Sequence, residues 1–90
     1  MDTLSRGTRA VLWCLVSSGH QETARHLHDF FLIKLSKFGV YNHRTVSVRL
    51  GVLAKVGYAK AVSGGGFSAK KYVPTAKGKK AAKRQGWLDE

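Results

Sequence analysis

Thirteen lysines and arginines lie between Phe30 and Leu88, with no aspartate or glutamate among them. A field of one sign over that length repels itself unless an anionic surface lies against it, and phosphate backbones are the commonest such surface. Over all 90 residues, 16 Lys and Arg stand against 5 acids, a net charge of +11. The acids Asp2, Glu22, Asp29, Asp89 and Glu90 flank the basic stretch. A merely solubilising surface would intersperse both signs. An anionic membrane fits less well, because the basic C-terminal segment is alanine-rich and lacks the large apolar face that interfacial helices bury. No apolar run approaches the ~18 residues that span a bilayer. Leu12 to Val16, with Asp2 ahead of it, is too short for a signal peptide.

Other chemistries fail on spacing. His26 and His28 are two apart, so on a helix they point roughly 200° away from each other. His20 and His43 stand alone in the sequence. The single cysteine, Cys14, forms no Cys-x-x-Cys pair, so neither a metal site nor a cofactor is expected. It lies within Ala10-Val11-Leu12-Trp13-Cys14-Leu15-Val16, where a core role fits better than reactivity, and a reducing compartment suits a chain that can form no internal disulfide. Glu22 and Asp29 are seven residues apart and make no acid–base pair, and nothing marks a nucleophile elbow. No enzymatic activity is expected. Gly64-Gly65-Gly66 is followed by Phe67 rather than by the Lys-Ser/Thr that opens the helix of a phosphate loop, so it reads as a hairpin tip.

The cations need elements to position them, and the central one runs from Asn42 to Tyr58. Val46, Leu50 and Leu53 recur at i, i+4, i+7 and fall within about 60° of each other on a helix. Arg44, Val48, Gly51 and Lys55 fall on the opposite side, with Thr45, Ser47, Arg49 and Val52 along the flanks. Asn42 suits the N-cap, and Gly57 suits the left-handed stop.

Around this helix the chain reads as one domain, residues 1–90. A first helix starts at Ser5 or Thr8 and runs to about Ser17, stopped by Gly19. A second starts at Gln21 or Thr23 and is either long, ending near Lys37, or broken near His28-Asp29. Its apolar residues Ala24, Leu27, Phe31 and Leu35, joined by Phe30, Leu32 and Ile33, surround the barrel, so it is centrally buried or packed on a second subunit. Tyr58 to Val62 alternates like a strand, residues 63–69 form the tip, and Lys70 to Val73 return. Pro74 ends that strand. Thr75 caps a basic helix from Ala76 to about Gln85, and Trp87-Leu88 fold back on the body.

The order helix, glycine, apolar residue, strand, glycine-rich tip and second strand, with Thr45-Val46-Ser47-x-Arg49-Leu50-x-x-Leu53-x-Lys55-x-Gly57-Tyr58, resembles the winged helix-turn-helix DNA-binding family. The resemblance spans about Thr23 to Lys83. A weaker one, over Arg49 to Lys83, is to linker-histone globular domains. The resemblance implies an α+β, mostly helical fold: three helices, a two-stranded β-hairpin wing at about 58–74, and a short basic C-terminal helix at about 75–85. It implies a small transcriptional regulator bound to double-stranded DNA, in the cytoplasm with the nucleoid or in a nucleus.

Geometry then divides the cations. Arg44, Ser47, Val48 and Lys55 face away from the core and suit a major groove, where Arg or Lys donates to guanine and a valine methyl meets the thymine methyl. Gly51 lets the helix approach closely. His43, Thr45 and Arg49 lie where phosphates would run. Lys60, Lys70, Lys71, Lys77, Lys79, Lys80, Lys83 and Arg84 suit the backbone, positioning without reading sequence. Phe67 either inserts in a minor groove or packs on the hairpin. Two other readings share these residues. One is a binding module for structured RNA, such as a ribosomal component, which would use shape and phosphates because A-form major grooves exclude a helix. The other is a protein-interaction domain acting through the apolar second helix. A homodimer through helices one and two is a further expected partner state.

Overall fold

The structure, a computed structural model, describes residues 4–19, 21–62 and 70–88. It is mixed α+β and mostly helical. Ser5, rather than Thr8, caps the first helix, α1 (Arg6–Ser18), accepting the Thr8 N–H at 3.2 Å. Gly19 ends it in the left-handed conformation. Ala10, Val11, Leu12, Cys14 and Leu15 are fully buried, a wider stripe than one contact face needs, because α1 packs on α4, α5 and the sheet.

A two-residue strand, β1 (Glu22–Thr23), follows. Sequence periodicity reads this segment only as a turn and cap. Thr23 does both jobs: it pairs in the sheet and caps α2 (Ala24–Phe30) by accepting the His26 N–H at 3.2 Å. The second helix is broken, as one of the two expectations had it, but at Phe31 rather than at His28-Asp29. The Phe31 backbone leaves helical geometry, and α3 (Leu32–Lys37) continues from it. The bend keeps Leu27 and Leu35 fully buried, one on each side, and turns Phe30 and Ile33 outward.

α4 (His43–Lys55) starts at Asn42 and buries Val46, Leu50 and Leu53, as its periodicity requires. It stops by the paired bonds of a glycine-ended helix: Tyr58 N–H donates to Leu53 C=O at 2.9 Å and Gly57 N–H to Ala54 C=O at 3.3 Å, with Gly57 at φ 89°. β2 (Ala59–Val62) and β3 (Lys71–Pro74) pair antiparallel, and β1 adds to the far side of β3, giving the order β1-β3-β2. The hairpin tip at 63–69, with Phe67, lies outside the described residues.

Thr75 caps α5 (Ala76–Ala82), which ends three residues before Gln85, where turns take over. The chain does fold back: Trp87 is buried, donates its indole N–H to Arg9 C=O at 2.9 Å, and meets Tyr58 edge to face at 6.1 Å. Among the described residues no helix is long and apolar enough to cross a membrane.

Candidate nucleic-acid interface

With its apolar stripe in the core, α4 turns Arg44, Ser47, Val48, Gly51 and Lys55 outward, all exposed. Among the described residues no carboxylate pairs with Arg44 or Lys55. A Cβ added at Gly51 would meet nothing within 4 Å, so the face is low at its centre. His43 is exposed in the first turn, where the helix dipole adds positive potential to that of Arg44.

Two flanking residues are drawn into the fold. The Thr45 hydroxyl donates to Asn42 Oδ1 at 3.0 Å, and the same oxygen accepts the Thr45 N–H at 2.9 Å. Thr45 is therefore committed to the cap. Arg49 is half-buried and its Nε, buried without a hydrogen-bond partner, lies beside Gly7 at the start of α1. Arg49 thus turns from the flank, where phosphates would run, into the α1–α4 junction, where Arg6 stacks 5.6 Å over the Phe38 ring.

The approach to α4 is built by His28, to which the sequence assigns no such role. His28 Nε2 lies 3.2 Å from Tyr41 C=O, its Nδ1 lies 3.2 Å from Asp29 Oδ1, and its ring meets His43 edge to face at 6.5 Å. Both partners are acceptors, so a neutral ring donates to one at a time. The contact ties α2 to the start of α4 and holds Tyr41, 70% exposed, beside His43. An aromatic immediately before the N-cap Asn42 was the available signal for Tyr41. His28 offered none, because its partners come from the fold.

In the hairpin, Lys60 pairs with Val73 and Val62 with Lys71, which sets Lys60 and Lys71 on one face of the sheet. Both are exposed, as is Lys70. The α5 cations divide. Lys77 Nζ donates to Val56 C=O at 3.3 Å and lies 4.9 Å over the Tyr58 ring, so it caps the end of α4. Lys80, Lys83 and Arg84 join it round an open groove of about 560 Å³ floored by Tyr58 and Ala81. Lys79, with Lys83 again, borders a second cleft against Val16 and Val73.

The start of α5 clamps the end of α4. Thr75 N–H donates to Tyr58 C=O at 3.1 Å, the Thr75 hydroxyl to Gly57 C=O at 2.7 Å, and Lys77 to Val56. Gly78 is buried against the Tyr58 backbone, where a Cβ would overlap the carbonyl. The outward face of α4 is thereby held in a set orientation to the hairpin. Burial pushes the Cys14 thiol up to about 12, against the pull of Lys34, so it takes no part in this surface. No family model, no curated protein and no solved structure matches the chain, and the functional reading rests on its own residues.

Proposed function

We propose that the chain is a winged helix-turn-helix module that binds double-stranded DNA, a small transcriptional regulator acting where that DNA lies, in the nucleoid or nucleus. α4 enters the major groove, and the β2–β3 wing and α5 follow the phosphate backbone. The observation that carries this reading is the outward face of α4. Arg44, Ser47, Val48 and Lys55 stand exposed over a fully buried Val46-Leu50-Leu53 stripe, with no carboxylate across them among the described residues. Arg44 and Lys55 supply donors for guanine O6 and N7, and Val48 supplies methyls for thymine. Gly51 permits close approach. The helical order, with β1 joining the hairpin to make three strands, supports the same fold.

The division of the cations refines the roles. Lys60, Lys70, Lys71, Lys79, Lys80 and Lys83 suit phosphates. Lys77 and Thr45 act through the ends of α4, and Arg49 through its junction with α1. A competition between duplex DNA and duplex RNA of matched length tests the reading. Duplex DNA should win, because a deep, narrow A-form major groove does not admit α4. Preference for the RNA would replace this reading with an RNA-binding one.

A further inference from the structure

The His28 ring lies between two acceptors, and its side chain is only 16% exposed. Its Nε2 lies 3.2 Å from Tyr41 C=O and its Nδ1 lies 3.2 Å from Asp29 Oδ1. A neutral imidazole carries one N–H and one lone pair, so one of the two contacts sets lone pair against lone pair. An imidazolium donates to both. A carboxylate is a stronger acceptor than a carbonyl, so the neutral ring directs its one N–H to Asp29. The contact left without a proton is then the one to Tyr41, which joins α2 to the chain entering α4.

Few charges surround the ring. Asp29 faces it from its own helix, and His43 faces it from α4 with ring centroids 6.5 Å apart. The cations of α1 and α3 stand elsewhere: Arg6 lies over Phe38, Arg9 donates to Trp87 C=O, Lys34 lies over Trp13, and Lys37 lines the groove beside Phe30. β1 carries one ionisable residue, Glu22. On α2 itself Arg25 is exposed, and His26 turns to the other side of the helix, where its ring meets Phe30 edge to face at 6.4 Å. Among the described residues, Asp29 is the one acid in contact with the ring.

We propose that His28 is a positioning residue for the start of α4: its protonated ring holds Tyr41 and Asp29 together, and duplex binds more tightly as pH falls. Imidazoles gain their proton between about pH 8 and about pH 5. The segment so held carries Tyr41, His43 and Arg44, all exposed. Fixing these residues and adding a positive charge beside them both favour an anionic backbone, so proton and duplex reinforce each other reciprocally. The duplex clause rests on the DNA-binding reading, whereas the double bond of the ring does not.

The test measures duplex affinity at about pH 8 and about pH 5.5 at one ionic strength. The unsubstituted chain should gain about tenfold at the lower pH. His26→Gln should gain as much. His28→Gln should lose most of the gain while keeping the circular dichroism of the fold. Asp29→Asn puts a carboxamide N–H against Nδ1, so a neutral ring can accept there and donate to Tyr41. It should bind tightly at about pH 8 already and gain little more. On the protein alone, ring-nitrogen NMR should show both His28 N–H protons exchanging slowly with water at about pH 5.5, and only the one on Nδ1 remaining at about pH 8. Equal gains in the unsubstituted chain and in His28→Gln overturn the proposal, as does an Nε2–H that exchanges freely at about pH 5.5. Failure of the unsubstituted chain to bind duplex at either pH would instead sink the DNA-binding reading, and the ring protons alone would then decide whether His28 holds the start of α4.

Discussion

Arg44 and Lys71 carry the same charge, yet their surroundings give them different duties. Arg44 stands on the outward face of α4, and Lys71 stands at the start of β3, paired with Val62. Arg44→Ala should relax preference at one base pair by about 1–3 kcal/mol. Lys71→Ala should weaken all duplexes alike and lower the log–log salt slope by about 0.9. Binding to a panel of single-base variants at several salt concentrations separates the two. Cys14 makes a prediction about stability rather than binding. Burial raises its thiol from 9.0 to about 12, so the folded chain keeps a proton that the unfolded chain loses above pH 9. The stability it contributes is complete below that pH and declines as pH rises towards 12. Urea midpoints at about pH 8 and about pH 10.5 should fall more for the unsubstituted chain than for Cys14→Ala, once the constant cost of the lost side chain is subtracted.

Two helical glycines have opposite surroundings, and they separate stability from binding at the scale of elements. Gly51 is exposed with open space around it, so Gly51→Ala should raise stability by about 1 kcal/mol through helix propensity. It should also weaken duplex binding by standing the face of α4 away from the groove. Gly78 meets the Tyr58 backbone, so in Gly78→Ala the overlap, about 2–3 kcal/mol, outweighs the same gain in propensity. Denaturant midpoints and duplex titrations of both variants check the pair. The helix ends were legible because caps are local: Asn42, Thr75 and Gly19 each act within a few residues of their own positions. The apolar stripe of α4 was legible for the same reason. β1 was not, because two residues show no alternation and their pairing with Lys71 and Tyr72 comes from far along the chain. The break at Phe31 lacks a Pro or Gly to announce it. The duties of Lys77 and Arg49 depend on which carbonyl or helix start lies nearby, and that only the fold decides.

Over the whole molecule, the charge imbalance and the clamped α4 point to the same use. Eleven cations without an acid in residues 41–88 supply affinity for any polyanion, and the shape of α4 is what would turn affinity into selection. These contributions respond differently to salt, because counterion release weakens phosphate contacts as ionic strength rises while base contacts persist. Selection of bound sequences from a random duplex library at low and at high salt, with the unsubstituted chain and with Arg44→Ala, tests the central claim most directly. The unsubstituted chain should enrich one sequence family, more sharply at high salt, and Arg44→Ala should lose the preference at one position while keeping the rest. Equal recovery of all sequences at both salts, with Arg44→Ala indistinguishable from the unsubstituted chain, would contradict base readout by α4.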